Sequence, residues 1–154
     1  MAAKPDDKST DIPDRLFDSN NRKTYKRLRF FGKVSCNAIY GWGFAKCYEI
    51  IDVATDETFA GKIVSKKLMI KHNQKEKTAQ EITIHRSLNH PNVVMFHSYF
   101  EDVQNIYIVL ELCKKRSMME LHKRRKSITE FECRYTYCPA IEASEEISLI
   151  SQRG

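Results

Sequence analysis

The sequence predicts an α+β fold, a five-stranded antiparallel sheet with one main helix on one face. Short runs rich in β-branched and aromatic residues, separated by polar turns, predict strands at 25–32, 43–52, 58–64, 93–100 and 106–112. Residues 71–89, between the third and fourth runs, are rich in Lys, Gln, Glu and Ala, which form helices with little loss of entropy. Antiparallel strands with one inserted helix are typical of a two-layer α+β domain.

The first three strands are bounded by turn residues. Leu28 and Phe30 alternate on one side of the first strand, which is predicted to end at Gly32. The second strand opens at Gly43, and the polar segment 52–57 predicts the turn into the third.

The predicted helix has one face directed at the sheet. Glu81, Ile84, His85 and Leu88 are spaced i, i+3, i+4 and i+7, so they share a face. Pro91 disfavours helical geometry in the residue before it and ends the helix.

Shorter elements follow. Residues 101–105 predict the hairpin connection between the last two strands, and residues 116–125 a short basic helix. Thr129, with Glu132 three residues later, predicts the capping box of another helix.

Charge is distributed unevenly along the chain, whose net charge is +6. Residues 21–33 hold six basic residues and no acid, and residues 114–126 hold seven basic residues and one acid. Such clusters could bind nucleic acid, but we do not expect this because no nucleic-acid motif accompanies them. The alternatives are a solvated face or a surface that recruits acidic protein segments.

Composition excludes several classes of protein. No run reaches about 18 apolar residues, so we expect no membrane span. The five cysteines have no C-x-x-C spacing, which favours a reduced compartment, cytoplasmic or nuclear. No metal site is predicted, since His90 and His97 have no second ligand at a metal-binding spacing.

Three features indicate a phosphate-binding site. Lys62 lies in an apolar strand, where an ammonium is costly to bury without an anion, and Ala60 on the same face leaves room for a flat ring. Glu81 faces the sheet and is the expected partner of Lys62. Gly32 and Gly43 flank a turn where backbone N–H groups could approach a phosphate.

Each feature also has a structural explanation. Lys62 could extend into solvent from an edge strand, Glu81 could pair with Lys77 on the helix surface, and the glycines could serve the turn alone. The three features together are more specific than any one of them.

Several segments resemble the N-terminal lobe of polo-type serine/threonine protein kinases. The resemblance covers residues 25–135, with residues 1–24 as a flexible tail and 136–154 as a tail outside the family pattern. It rests on Ala45 and Cys47 in the second strand and on the segments 44–49, 59–64, 81–94, 100–102, 109–117 and 120–130.

The resemblance implies an ATP site. Lys62 would hold the α- and β-phosphates and Glu81 would fix its position, as in kinases generally. The adenine pocket would be lined by Phe31, Cys47 and Ala60, with Leu110 at its back, and the carbonyl of Glu111 and N–H of Cys113 would bind the adenine edge. The glycine-rich loop would contain Gly32, Gly43 and Ala45.

The family further implies Mg-ATP as cofactor, protein substrates and a role in mitosis. Its members act at centrosomes, kinetochores and the spindle, so the cytoplasm and nucleus are the expected location.

The sequence departs from the family pattern in two places. Nine residues, 34–42, stand where one glycine of the loop is expected, and Trp42 replaces the second loop glycine. After Tyr135 the family helix does not continue, Pro139 would break it, and no H-R-D, D-F-G or A-P-E motif occurs. The catalytic Asp and the Mg²⁺ ligands are therefore missing from this sequence.

The loop insertion predicts weakened ATP affinity, and the missing motifs predict that this ATP-binding kinase lobe is catalytically inactive as this chain. One alternative is a non-catalytic basic fragment that binds other proteins. Another is an aberrant splice or gene-model product, since Val34 and Ser35 can be encoded by GTAAGT, a splice-donor sequence.

Overall fold

The computed structural model describes residues 12–35, 44–70, 74–114, 123–127 and 129–135. Six strands form one antiparallel sheet in the order β1-β2-β3-β4-β6-β5. The strands are β1 Arg15–Asp18, β2 Lys23–Ser35, β3 Phe44–Asp52, β4 Thr58–Ser65, β5 Phe96–Glu101 and β6 Asn105–Glu111. A 3-10 helix, Lys66–Ile70, and the helix α1, Gln74–Ser87, lie between β4 and β5.

The two edge strands approach each other because the sheet curls. The Asn20 side-chain amide at the end of β1 donates a hydrogen bond to the Tyr99 carbonyl of β5 at 3.3 Å. Next to this contact, the Tyr25 and Phe100 rings stack at a centroid distance of 6.0 Å. The curl gives the sheet an inner face and an outer face.

The inner face carries the main hydrophobic core. Alternate residues of the strands point there and bury aromatic and β-branched side chains against one another, since the side-chain period of a strand is two. Phe100, for example, stacks on both Tyr25 and Tyr107. This inner core consists of Ile12, Leu16, Tyr25, Tyr48, Ile50, Phe59, Ile63, Phe100, Tyr107 and Val109.

The outer face is covered by α1 over part of its area. Ile82 of α1 is 8% exposed and packs on side chains of β3, β4 and β6. This outer cluster consists of Ala45, Val64, Ile82, Ile106 and Ile108. It is the smaller of the two clusters, and α1 meets the sheet through it.

An aspartate closes each of the three hairpin turns that the structure describes in full, β1–β2, β3–β4 and β5–β6. Asp18 accepts hydrogen bonds from the Asn20 and Asn21 N–H groups, Asp52 from Ala54 N–H, and Asp102 from Gln104 and Asn105 N–H, at 2.6–3.1 Å. Asp side chains commonly bond to backbone two residues on in this way. The same kind of hydrogen bond, from backbone N–H to an Asp side chain, therefore stabilises these three turns.

The buried carboxylate of Asp52 is also ion-paired. Its Oδ2 lies 3.0 Å from Lys23 Nζ, and its side chain is fully buried. Burial acts to raise the pKa of Asp52, but the hydrogen bond from Ala54 and the Lys23 ammonium hold that pKa below its usual value. The charged form of Asp52 therefore belongs to the folded state.

The predicted fold class is confirmed, but the strand count was too low by one. The missing strand is β1, which lies within the segment 1–24 predicted as a flexible tail. Leu16 and Asp18 on β1 are buried, so the tail prediction is wrong for this part of the segment. The four-residue strand is too short to show periodicity.

Other predicted boundaries moved by a few residues. Helix α1 spans Gln74–Ser87 within the predicted 71–89, of which 71–73 lie outside the described residues. Strand β5 begins at Phe96, not at residue 93. Strand β2, the first strand predicted from the sequence, does not end at Gly32, because Val34 and Ser35 still pair with Ala45 and Phe44.

The predicted capping box is confirmed. Thr129 Oγ1 accepts a hydrogen bond from Glu132 N–H at 3.3 Å, and Glu132 Oε2 accepts one from Thr129 N–H at 3.1 Å. The helical turn it begins is described to Tyr135. Most of the predicted basic helix 116–125 lies outside the described residues.

In the part of the chain that the structure describes, no helix is both long and apolar enough to cross a membrane.

Candidate functional site

An ion pair joins the sheet to the helix. Lys62 Nζ of β4 lies 2.6 Å from Glu81 Oε1 of α1. The Lys62 side chain is only 15% exposed, whereas that of Glu81 is 51% exposed. The predicted pairing of the two residues is confirmed, and the alternative in which Lys62 extends freely into solvent is excluded.

The fold positions both partners through neighbouring apolar residues. Ile63 belongs to the inner core, so Lys62 and Val64 beside it point to the outer face. On α1, Ile82 anchors the helix in the outer cluster and so holds the adjacent Glu81 at the edge of the contact. Packing by Val64 and Ile82 thus fixes the distance between the two charges.

A row of residues crosses the outer face through Lys62. In the strand register, Gly32 is paired with Cys47, Cys47 with Lys62, and Lys62 with Ile108. Ala60 is paired with Leu110 in the next row on this face. Residues directly opposite each other in antiparallel strands lie on the same face, so Cys47, Ala60 and Leu110 are neighbours of Lys62.

A small cavity lies between α1 and this row. It has a volume of about 100 Å³ and is lined by Lys62, Glu81, Ile82, His85, Phe96, Ile108 and Leu110. Its walls are mostly apolar, with the ion pair at one side. This volume is smaller than the roughly 300–1,000 Å³ of typical small-molecule sites, so the cavity alone cannot enclose a nucleotide.

His85 forms part of the cavity wall and ties the helix to the sheet. Its Nε2–H donates a hydrogen bond to the Val94 carbonyl at 2.8 Å, and its ring meets that of Phe96 edge-on. This contact fixes α1 against the segment that leads into β5. His85 therefore positions the helix that carries Glu81.

The predicted binding residues fall into two groups. Cys47, Ala60 and Leu110 are partly exposed and lie on the same face as Lys62. In contrast, Ala45 is fully buried in the outer cluster, which leaves its side chain no surface for a ligand. Gly43 lies outside the described residues.

Gly32 and Phe31 lie at an irregularity in β2. The register shifts between Phe30 and Gly32, which leaves Phe31 without a partner on β3. Phe31 is 48% exposed. Gly32 has φ +154, a backbone conformation that favours glycine.

The two predicted hinge residues follow directly from β6. Glu111, its last residue, donates its N–H to the Met95 carbonyl at 2.9 Å, and its carboxylate accepts the Met95 N–H at 3.2 Å. Cys113, two residues on, is exposed. Glu111 is therefore held in place by Met95, next to the open end of the site.

Four residues of the site were not predicted as site residues. Ile82, His85, Phe96 and Ile108 line the cavity with Lys62, Glu81 and Leu110. Ile108 could have been found, because it alternates with Leu110 on one face of β6. Ile82 was missed because the proposed helix face was centred on Ile84 and Leu88, which leaves position 82 outside the i, i+3, i+4, i+7 series.

Among the described residues, no group of three or more His, Cys, Asp or Glu side chains could hold a metal ion.

A protein-family model matches much of the chain. The family described as "protein kinase domain" matches residues 40–145, more than half of the chain.

Curated relatives are polo-type kinases. Serine/threonine-protein kinase polo of Drosophila melanogaster is 84% identical over 135 residues, which cover 88% of this chain and 22% of the relative. Serine/threonine-protein kinase PLK1 of Xenopus tropicalis is 53% identical over 125 residues, covering 81% of this chain and 20% of the relative. Serine/threonine-protein kinase plk-2 of Caenorhabditis elegans is 50% identical over 125 residues, covering 81% of this chain and 18% of the relative. The chain thus spans about a fifth of the length of these relatives.

Proposed function

Because this chain belongs to the protein kinase family and is of the polo type, we propose that it is the ATP-binding part of a serine/threonine kinase. The family implies ATP and protein substrates in general terms. The proposal here is narrower: the outer face around Lys62 binds the nucleotide, and this chain alone does not transfer the phosphoryl group.

The ion pair between Lys62 and Glu81 is the observation that carries the proposal. A lysine that is 15% exposed loses much of its hydration, and the half-exposed carboxylate of Glu81 offsets part of that cost. The ammonium is thus held at a defined place on the outer face, where it can still meet a second anion. Phosphate oxygens are such anions.

The residues around Lys62 fit an adenine nucleotide. Ala60 has a small side chain, so a flat ring can lie over β4 beside Cys47 and Leu110. Glu111 and Cys113 are placed where the strand ends, so their backbone carbonyl and N–H can bind the edge of the ring. A nucleotide would lie on the open face beside the cavity, since the cavity itself is too small.

The chemistry that these residues supply is binding and orientation. ATP, when bound, would contribute the transferable phosphoryl group. Lys62 would neutralise phosphate charge, and Glu81 would keep the ammonium directed at it. The sequence has no catalytic-loop Asp and no D-F-G Asp, so this chain lacks the groups that orient a substrate hydroxyl and hold Mg²⁺.

Nucleotide binding by the purified chain tests this proposal. We expect ATP to bind in isothermal titration calorimetry, Lys62→Met to abolish the signal, and Lys75→Met, at an exposed lysine on α1, to leave it unchanged. Ala60→Leu should weaken binding without removing a charge, because it fills the space for the ring. Absence of ATP binding by the parent chain, or equal binding by the Lys62 and Lys75 variants, would refute the proposal.

An activity assay tests the second half of the proposal. We expect no transfer of labelled phosphate to dephosphorylated casein, even where ATP binds. Transfer that depends on Lys62 would show that residues of this chain replace the missing catalytic parts.

A second candidate function is a non-catalytic fragment that binds other proteins. Exposed apolar side chains favour it: Met95 is 55% exposed, Phe131 79% and Tyr135 80%. Binding of an intact polo-type kinase by a chain that does not bind ATP would support this function over the first.

The subcellular location of this chain is proposed from the family alone. A tagged chain is expected in the cytoplasm and nucleus, with enrichment at centrosomes, kinetochores and the spindle in mitosis. Fluorescence imaging of dividing cells measures this directly.

A further inference from the structure

The hairpin β1–β2 holds two cations directly opposite each other. Arg15 of β1 is the register partner of Lys26 of β2, and both side chains are exposed. Like charges at directly opposite positions destabilise an antiparallel pair. The chain therefore keeps two exposed cations at directly opposite positions, where a neutral residue would serve the fold better.

Two neighbouring cations of the hairpin have acidic partners. Lys23 is ion-paired with Asp52, and Arg27 with Asp14. Within the described residues, Arg15 and Lys26 take part in no ion pair. Glu49 lies on the same face of β3, two residues from the register partner of Lys26, and it also forms no ion pair there.

An exposed aromatic residue lies beside the cations. Phe17 is two residues from Arg15 on β1, so the two side chains share a face, and Phe17 is 65% exposed. We call Arg15, Phe17 and Lys26 the hairpin face. It combines two positive charges, which form no ion pair among the described residues, with an exposed apolar side chain.

We propose that the hairpin face binds an extended acidic segment of another protein. A carboxylate would lie between the Arg15 guanidinium and the Lys26 ammonium, which relieves their repulsion. An apolar side chain two positions along the segment would lie on Phe17, because residues i and i+2 of an extended chain point the same way. Binding would thus be favoured because the carboxylate removes the repulsion between Arg15 and Lys26.

The arrangement favours a protein segment over a nucleic acid. Nucleic-acid binding proteins commonly neutralise about six to ten phosphates along a stripe of cations. The hairpin face has two cations side by side, with Glu49 on the adjacent strand of the same face. One or two carboxylates match this pattern better than a continuous row of phosphates.

The hairpin face is separate from the proposed nucleotide site. Lys26 is paired with Ile51 of β3, whereas Lys62 is paired with Cys47 of the same strand. Four residues along a strand span about 13 Å. Loss of binding at the hairpin face can therefore be distinguished from loss of ATP binding.

Fluorescence anisotropy with a labelled peptide tests the proposal on the full chain. The probe is Glu-Ser-Leu-Ser-Glu-Ser-Leu-Ser, in which Glu and Leu alternate on one side of the extended backbone, and a Gln-for-Glu peptide is the control. Lys26→Glu should weaken binding about tenfold and Lys75→Glu, an equal charge change on α1, should not. The Gln peptide should bind weakly to all three proteins.

Urea unfolding of the same variants separates binding from folding. Lys26→Glu replaces repulsion with attraction to Arg15, so its unfolding midpoint should rise while peptide affinity falls. Arg15→Gln provides a second variant without charge reversal and should also weaken binding. A higher unfolding midpoint together with weaker peptide binding in Lys26→Glu is not expected of a residue whose role is only structural.

Three results would overturn the proposal. The first is no binding of the acidic peptide by the parent chain. The second is equal affinity of the parent, Lys26→Glu and Arg15→Gln proteins. The third is tighter binding of a labelled oligothymidine that depends on the same two residues, which would assign the hairpin face to nucleic acid.

Discussion

On the inner face of the sheet, ten side chains pack into one buried core, whereas the outer face has a cluster of five and an ion pair that is partly open to water. The inner core contains five aromatic rings, and Phe100 is 2% exposed between two of them. Lys62 and Glu81 lie at the edge of the outer cluster, where a ligand can reach them. The difference indicates that the main core lies on the inner face and the proposed binding site on the outer face, so mutations should separate stability from binding.

Truncation of the inner core tests this comparison most strongly. Phe100→Ala removes a ring stacked on Tyr25 and Tyr107 and should lower the free energy of unfolding by about 3–5 kcal/mol. Phe100→Leu, the control, should cost about 1 kcal/mol because it keeps most of the volume. Urea denaturation monitored by circular dichroism measures both. A cost below that of the outer-face variants would show that the inner core is not the main source of stability.

Truncation of the outer cluster should have a smaller effect on folding. Ile82→Ala leaves a gap beside the existing cavity. It should lower the free energy of unfolding by about 2 kcal/mol, at the low end for such changes. Because Ile82 holds Glu81 in position, ATP binding should weaken in the same variant. Calorimetry and urea denaturation together give both values. Loss of stability as large as that of Phe100→Ala would remove the distinction between the faces.

Acid should destabilise the inner face through Asp52. Its pKa is held below the usual value in the folded state, so its contribution to stability is present above its unfolded pKa and is lost as pH falls through the folded one. Asp102 behaves alike: burial acts to raise its pKa, but the Tyr107 hydroxyl and the N–H groups of its turn lower it. The urea midpoint should therefore hold from neutral pH to about pH 4 and fall below it.

Asp52→Asn should reproduce part of this acid effect at neutral pH. The variant keeps a turn acceptor for Ala54 but loses the charge that Lys23 meets, at a cost of about 1–2 kcal/mol. Its midpoint should also change less with pH than that of the parent chain. A parallel pH dependence in both proteins would mean that other carboxylates cause the acid sensitivity.

Removal of the outer ion pair should have the smallest effect on folding and the largest on binding. Lys62→Met should change the free energy of unfolding by less than about 1 kcal/mol, because Glu81 is half exposed and the pair is screened by water. ATP binding should nevertheless be lost. Matching urea curves with unequal calorimetric titrations are the expected result, and a large loss of stability would contradict the assignment of Lys62 to binding.

The sequence alone predicted the main residues of the candidate site. Lys62 and Glu81 could be paired because a lysine in an apolar strand needs an anion, and because the helix follows that strand directly. Ala60 could be placed with them because side chains two residues apart on a strand share a face. The resemblance to polo-type kinases added Cys47, Leu110 and the hinge residues Glu111 and Cys113.

Boundaries and contacts across the sheet escaped sequence reasoning. Strand β1 has only four residues, too few to show a period, and it exists because β2 offers it a partner and because the inner core buries Leu16. Ala45 was assigned to the loop over the nucleotide, but it is completely buried in the outer cluster.

The chain's local patterns determined which residues form strands and a helix, where the charges lie and which lysine requires a partner, since these depend on neighbours a few positions away. Tertiary structure decided the rest: the curl that brings Asn20 to Tyr99, the burial of Asp18 and Asp52, and the opposition of Arg15 and Lys26. Each of these depends on strand register, and register is set by the packing of the whole inner face.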